Sequence, residues 1–275
     1  MNTSDMADIK ERGLVLLGCG KMGSAMLEGW LKQGLPTRSV WVNDPYPSDW
    51  LKSLDGLNLN QDLPANPAIV LVAVKPQMMV DALPSLSKLG NGETLFLSVA
   101  AGTPISAYEA MLGNQTPIIR AMPNTPAAIA RGITAICGNN HATATHMSLA
   151  ETLLSAVGQV VRLDGEHQMD AVTGVSGSGP AYVFHLIETL AAAGVAQGLS
   201  PELSMQLAKA TVGGAGALAE AADEDPAQLR VNVTSPAGTT AAALEVLMDE
   251  NTGFPDLLTR AVAAAANRSK ELANG

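Results

Sequence analysis

Short apolar runs alternate with longer stretches of helical periodicity through residue 164, and no other feature constrains the fold so tightly. Residues 13–17, 40–42, 69–74, 94–98 and 118–121 read as strands, with helical patterns at 22–33, 48–54, 77–86 and 104–111 between them. Strands joined by helix-length connections run parallel, so the pattern predicts a doubly wound, mainly parallel Rossmann-type sheet of the α/β class, covered on both faces. Further candidate strands at 133–137 and 160–163 flank a helical stretch over 143–157 and would extend that sheet. Residues 1–10 are polar and read as a mobile start.

Beyond Gly165 the short runs stop, and Ala/Leu/Val-rich segments remain at 180–197, 201–222, 239–248 and 254–272. These predict an all-helical second domain, with Ser200-Pro201 and Asp223-Glu224-Asp225-Pro226 marking helix starts and breaks. The expected division is 1–164 for the sheet domain and 165–275 for the helical one.

Composition narrows the function. Apolar residues make up 47% and aromatics only 3%, which gives a sizeable core but little material for stacking on bases. The net charge of −10 divides into −2 over residues 1–164 and −8 over 165–275, so neither half suits a phosphate backbone. No uninterrupted apolar stretch reaches the length of a membrane span, and two cysteines, Cys19 and Cys137, fit a reducing cytoplasm. His141, His146, His167 and His185 show no zinc-ligand spacing, so no metal is expected.

Gly18-Cys19-Gly20-Lys21-Met22-Gly23 follows the first strand and opens the first helix, the context that gives a GxGxxG string its meaning. The first glycine permits a tight turn, the second lets backbone approach a pyrophosphate, and the third lets helix pack on strand. Asp44 ends the second strand, 21 residues beyond Gly23, where a carboxylate would accept from the adenosine ribose hydroxyls and repel a phosphate there. That leans toward NADH over NADPH; a turn-forming role for Asp44 before Pro45 stays open. Ala73-Val74-Lys75-Pro76, Ala100-Ala101-Gly102 and Met122-Pro123-Asn124-Thr125-Pro126 all follow strand ends. Strand carboxyl ends line the cofactor crevice in open α/β sheets, so Val74, Lys75, Pro76, Ala100, Ala101, Gly102 and Asn124 are candidate cofactor residues. Lys75 is also a candidate for the substrate. Met22, Met26, Met78 and Met79 fall at helical spacing and read as core fillers.

In the second half, Leu229-Arg230-Val231-Asn232-Val233-Thr234-Ser235-Pro236-Ala237-Gly238-Thr239-Thr240 leads into an Ala/Leu-rich helix. Unpaired N–H groups and the hydroxyls of Ser235, Thr239 and Thr240 would converge at its N-terminus and suit a small carboxylate. An ordinary Ser/Thr helix cap is the plainer alternative. Upstream, Ser176-Gly177-Ser178-Gly179-Pro180-Ala181-Tyr182 would supply either a Ser178 cap or a substrate contact.

Taken in order from the glycine-rich turn through 235–248, these motifs resemble the pyrroline-5-carboxylate reductases, over roughly residues 13 to 260. The resemblance implies NAD(P)H-dependent reduction of the imine of 1-pyrroline-5-carboxylate to L-proline, the last step of proline biosynthesis. It also implies a helical domain that dimerises by interleaving with its partner's, and often a ring of dimers. By the same resemblance Ser235, Gly238, Thr239 and Thr240 hold the substrate carboxylate and imine nitrogen near the nicotinamide, with Thr240 bonding the ring nitrogen. Asn43-Asp44-Pro45 departs from the basic or hydroxyl residues of many NADPH-preferring members. A related β-hydroxyacid reductase would need a helical lysine acid, and Lys209 lacks the Gly/Asn setting for one. A dinucleotide-binding redox sensor would need no second small-acid turn.

Overall fold

The computed structural model describes residues 3–274. Among these, β1 (Leu14–Leu17), β2 (Val40–Asn43), β3 (Asn58–Leu59), β4 (Ile69–Val72), β5 (Leu95–Ser98), β6 (Ile118–Met122), β7 (Gly132–Gly138) and β8 (Gly158–Arg162) form one sheet. Its order is β3-β2-β1-β4-β5-β6-β7-β8, and every neighbouring pair is parallel except β6 with β7. Only residues 123–131 join β6 to β7, too few for a crossover helix, so the chain turns back antiparallel. The sequence order reverses between β1 and β4, which makes their carboxyl ends the switch point where such sheets bind ligands.

Helices α1 (Thr3–Arg12), α2 (Lys21–Lys32), α3 (Asp49–Lys52), α4 (Met79–Ala82), α5 (Ile105–Leu112), α6 (Ala144–Leu154) and α7 (Met169–Val172) accompany the sheet. Strand residues alternate between two apolar layers. Leu14, Leu16, Val40, Val42, Ile69 and Leu71 join α2 and α6 on one face, whereas Val15, Leu17, Val70, Val72 and Phe96 join α4 and α5 on the other. Each such side chain contributes about 1.5–3 kcal/mol by leaving water, so a one-residue slip of any central strand is strongly disfavoured. Trp30 of α2 is fully buried, and its Nε1–H donates to the Leu153 carbonyl of α6 at 2.8 Å.

Three expectations are corrected. The polar start is helical from Thr3, because Ile9 is buried and Arg12 holds Asp8, the Asn66 side chain and the Pro67 carbonyl; residues 1 and 2 lie outside the described residues. The helix expected at 77–86 is instead 3₁₀ turns at Pro76–Met78 and Leu83–Leu89 around the single turn of α4, since Pro84 cannot donate the bond that would continue an α-helix through it. Met78 is exposed there and fills no core, unlike Met26 and Met79.

Beyond a π-helical turn at Thr173–Gly177 come α8 (Gly179–Ala196), α9 (Pro201–Ala221), α10 (Pro226–Asn232), α11 (Thr239–Leu247) and α12 (Phe254–Asn274). By compactness the chain divides between Gly177 and Ser178, and the end of α12 from Ala266 belongs with the sheet unit. Met169 is buried in the sheet's core, and the Ser269 hydroxyl of α12 donates to Asp170 at 2.6 Å. Those contacts hold both segments to the sheet unit. Within the second unit, α8 and α9 pair closely, and a Cβ at Gly194 would stand 2.9 Å from the Ser204 hydroxyl. Phe184, Leu190, Leu203, Leu207 and Leu218 are nonetheless exposed on these helices.

Candidate active site

The glycine-rich turn is built by β1 and α2. Gly18 adopts φ +81°, which L side chains disfavour, and a Cβ there would meet Val74 Cγ1 at 2.8 Å. Its N–H donates to the Asn43 carbonyl at 2.8 Å, so the loops after β1, β2 and β4 meet at this residue. Gly20 caps α2 and has open space where a Cβ would be. No side chain caps this helix, and no acidic residue stands in its first turn. The N–H groups at its start, around Lys21 and Met22, remain available to an anion, and the dinucleotide expected from the sequence fits the turn. A Cβ at Gly23 would stand 2.9 Å from the Gly18 carbonyl, as close helix-on-strand packing requires.

Asp44 lies just past β2. Its Oδ2 accepts the Cys19 N–H at 2.7 Å and its Oδ1 accepts the Tyr46 N–H at 2.8 Å. The second bond is the Asx turn left open by the sequence; the first ties the carboxylate directly to the glycine loop. Cys19 is buried beside Ser24, and burial pushes its thiol upward, with the Asp44 charge adding to the shift.

Ala100 is buried, with its N–H bonded to Ser98 Oγ at 3.2 Å, and Ala101 is exposed. Gly102, at φ +78°, passes close to Leu272 of α12. Lys75 is exposed and Val74 half-buried after β4, while Pro76 opens a 3₁₀ turn. Asn124 is half-buried and internally committed: its Nδ2 donates to the Ser176 carbonyl at 3.2 Å and its Oδ1 accepts the Ile133 N–H at 3.0 Å. Its side chain therefore fixes the loop after β6.

The hydroxyl-rich turn before α11 lies in the second unit. Ala237 adopts φ +54°, the Gly238 N–H donates to the Ser235 carbonyl at 3.0 Å, and Gly238 is the N-cap of α11. No side chain caps this helix, so the plain Ser/Thr cap is absent. Ser235 and Thr239 are exposed and Thr240 half-buried. Thr234 turns away from the helix start, its hydroxyl donating to the Arg230 carbonyl at 2.6 Å. Ser178 makes no cap bond to α8 either, because the π-helical turn runs into that helix and leaves no ordinary N-terminus for it to serve.

Sequence reasoning missed an ion pair beside these loops. Arg120 of β6 is 5% exposed, and its Nη1 meets Glu166 Oε1 at 2.7 Å. The same oxygen accepts the Ile105 N–H at 2.8 Å, so Glu166 also caps α5, directly after the Ala100–Gly102 loop. An arginine inside the apolar run Ile118-Ile119-Arg120-Ala121 was the available signal, since a buried charge demands a partner. Asn60, which brackets Asp44, was also missed.

Residues 166–272 match the family model described as pyrroline-5-carboxylate reductase dimerisation, and residues 13–102 match one described as NADP oxidoreductase, coenzyme F420-dependent. The pyrroline-5-carboxylate reductase of Pseudomonas aeruginosa is 38% identical over 265 residues, which cover 94% of this chain and 96% of that one. The chain belongs to the pyrroline-5-carboxylate reductase family. Another pyrroline-5-carboxylate reductase, from Methanosarcina acetivorans, is 38% identical over 93% of this chain and 96% of its own. The structure of a pyrroline-5-carboxylate reductase from Coxiella burnetii superposes with a TM-score of 0.89 at 33% identity, covering 95% of this chain and 98% of that one. The Plasmodium falciparum pyrroline carboxylate reductase with NADP bound gives 0.82 at 30% identity, covering 96% and 99%.

Proposed function

We propose that this protein reduces 1-pyrroline-5-carboxylate to L-proline with a reduced nicotinamide cofactor, the last step of proline biosynthesis. One observation carries the reading: in a chain of this family, α11 begins uncapped, behind a turn that presents the Ser235, Thr239 and Thr240 hydroxyls. Such a helix start offers N–H donors and a favourable dipole to a substrate carboxylate. Ser235 and Gly238–Thr239 would hold that carboxylate, and the Thr240 hydroxyl would hold the ring nitrogen.

The reaction adds a hydride to the imine carbon and a proton to its nitrogen, and the C=N π pair ends on that nitrogen. When bound, the reduced nicotinamide supplies the hydride. The chain's own residues position. N–H groups at the start of α2, around Gly20, Lys21 and Met22, would take the pyrophosphate, and Asp44 the adenosine ribose. Val74, Lys75, Pro76 and the backbone of Ala100–Gly102 would line the cofactor, with Lys75 also near the acid. Asn124 would act by holding its loop. The proton on nitrogen comes from solvent, the imine reacting in its protonated form, and correct orientation of two reactants supplies up to roughly 7–11 kcal/mol in favourable systems.

The committed Asp44 carboxylate favours NADH over NADPH in this proposal. The helical region, residues 165–275 by the sequence reading, would form the homodimer and on it a ring of dimers. The proposed compartment is the cytoplasm; among the described residues no helix is long and apolar enough to cross a membrane, and both cysteines are free.

The test is nicotinamide oxidation by purified protein with 1-pyrroline-5-carboxylate, using NADH and NADPH in parallel. Oxidation matched by L-proline formation, with the higher kcat/KM for NADH, is expected. Nucleotide binding without oxidation of either cofactor would sink the assignment.

A further inference from the structure

We infer that Tyr108 is a positioning residue for hydride transfer, a buried phenol that sets the shape of the loop between β5 and α5 from its core side; this rests on the placing of Ala100–Gly102 against the cofactor proposed above. The loop reads Val99-Ala100-Ala101-Gly102-Thr103-Pro104, with Ala101 exposed and Gly102 at φ +78°. Small residues leave room for a cofactor ring, but they give the loop few side chains of its own to hold it. Its ends are tied. The Val99 N–H donates to the Val72 carbonyl at 3.0 Å, and Glu166 accepts the Ile105 N–H at 2.8 Å.

The span between those ends is braced by two hydroxyls in the core. Ser98, the last residue of β5, is 1% exposed, and Tyr108, on α5, is 0% exposed. The Tyr108 hydroxyl is hydrogen-bonded to Ser98 Oγ, and the same Oγ accepts the Ala100 N–H at 3.2 Å. Burial raises the phenol above its ordinary range, against hydrogen bonds to the Ser98 and Thr103 hydroxyls that lower it, so it stays protonated at neutral pH. Tyr108 thus joins the strand end, through Ser98, to the returning limb of the loop at Thr103. A phenylalanine would fill the same apolar layer, beside Phe96 and Ile105, with no polar group to satisfy. The hydroxyl is therefore a brace more than a filler. If the loop shifts, a ring resting on it shifts too, and a misplacement of about 1 Å can cost about a hundredfold in rate.

Tyr108→Phe keeps the ring and removes the brace, whereas Ser98→Ala removes the acceptor of the Ala100 N–H. In the full chain, both single variants and the double variant are compared with the unsubstituted protein by amide hydrogen exchange over residues 99–103, free and with NADH or ADP-ribose, which lacks the nicotinamide. Kd for both ligands, kcat, KM and the isotope effect with NADH deuterated at the transferable position complete the set. In Tyr108→Phe, exchange over the loop should rise and kcat fall, each about fivefold, the effect of about one net hydrogen bond, while the isotope effect grows and the Kd for ADP-ribose holds. NADH should protect the loop more than ADP-ribose does, and Tyr108→Phe should add less in the Ser98→Ala background. Unchanged exchange, or a lower Tm with equal losses for NADH and ADP-ribose and an unmoved isotope effect, would overturn the role of Tyr108 alone. Equal protection by the two ligands in the unsubstituted protein would overturn the placing of the loop, and the role of Tyr108 with it. Exchange and binding need no turnover, so a failure of the proposed reaction is told apart from a failure of the brace.

Discussion

Thr240 is the second residue of α11, half-buried, on a helix whose start no side chain caps. If its hydroxyl holds the ring nitrogen, Thr240→Ala should cut kcat on 1-pyrroline-5-carboxylate by about tenfold or more, the loss of a hydrogen bond of about 1.4 kcal/mol, with the KM for NADH little changed. An unchanged kcat removes it from the mechanism. Cys137 gives a residue-scale expectation of another kind. Burial raises its thiol from 9.0 to about 11, with Glu166 adding to the shift and Arg120 opposing it. At pH 8 the native protein should therefore react slowly with a thiol reagent, and both cysteines should titrate quickly only after denaturation. Because the native value lies above the ordinary one, this group's contribution to stability is complete below pH 9 and is lost as pH rises toward about 11. Sequence made the glycines of the turn legible, since no other residue accepts φ +81° at Gly18 without strain. It did not expose Asn60 or the Asp44 bonds, because a side chain that replaces a strand rung leaves no periodic trace.

At the scale of elements, β1 and α2 stand or fall on the turn between them. Gly18→Ala forces a Cβ against Val74 and the Ala73 carbonyl in a left-handed backbone that costs about 1–2 kcal/mol for an L residue before any clash. Weaker binding of both NADH and NADPH, by tenfold or more, and a lower Tm should follow; unaltered cofactor Kd would remove the turn from the site. The Arg120–Glu166 pair joins β6, α5 and the segment before α7. Arg120→Met would leave Glu166 without its cation, but that carboxylate is 31% exposed, so water screens part of the loss. A destabilisation of about 2 kcal/mol is expected in denaturant titration, below the 3–5 kcal/mol of a fully buried pair. The central strands were readable because each is a near-continuous apolar run buried on both faces. β3 was not, since two residues with polar Asn58 carry no hydrophobic period, and the 3₁₀ segment at 83–89 mimics a helix until Pro84 is weighed.

For the whole molecule, the division into sheet and helices was legible from where the strands cease, while compactness groups a few further segments with the sheet. Residues 165–177 and the end of α12 join the sheet unit through Met169, Glu166 and Ser269, long-range contacts that local pattern does not encode. The helical unit leaves Leu203 and Leu207, one turn apart on α9, exposed along with Phe184 and Leu190. A region matching a dimerisation domain with that much uncovered apolar surface should make folding depend on association. The thermal midpoint should rise with protein concentration, and Leu207→Glu should weaken association and lower it; a concentration-independent midpoint would contradict the dimer.

The central claim is that this chain delivers a hydride to an imine carbon, and an isotope label follows that atom directly. Purified protein would be given 1-pyrroline-5-carboxylate with NADH carrying deuterium at the transferable position, and the proline analysed by mass spectrometry and NMR. The account predicts one deuterium per proline, at the former imine carbon. Proline formed without the label, or cofactor bound and left unoxidised, would contradict it.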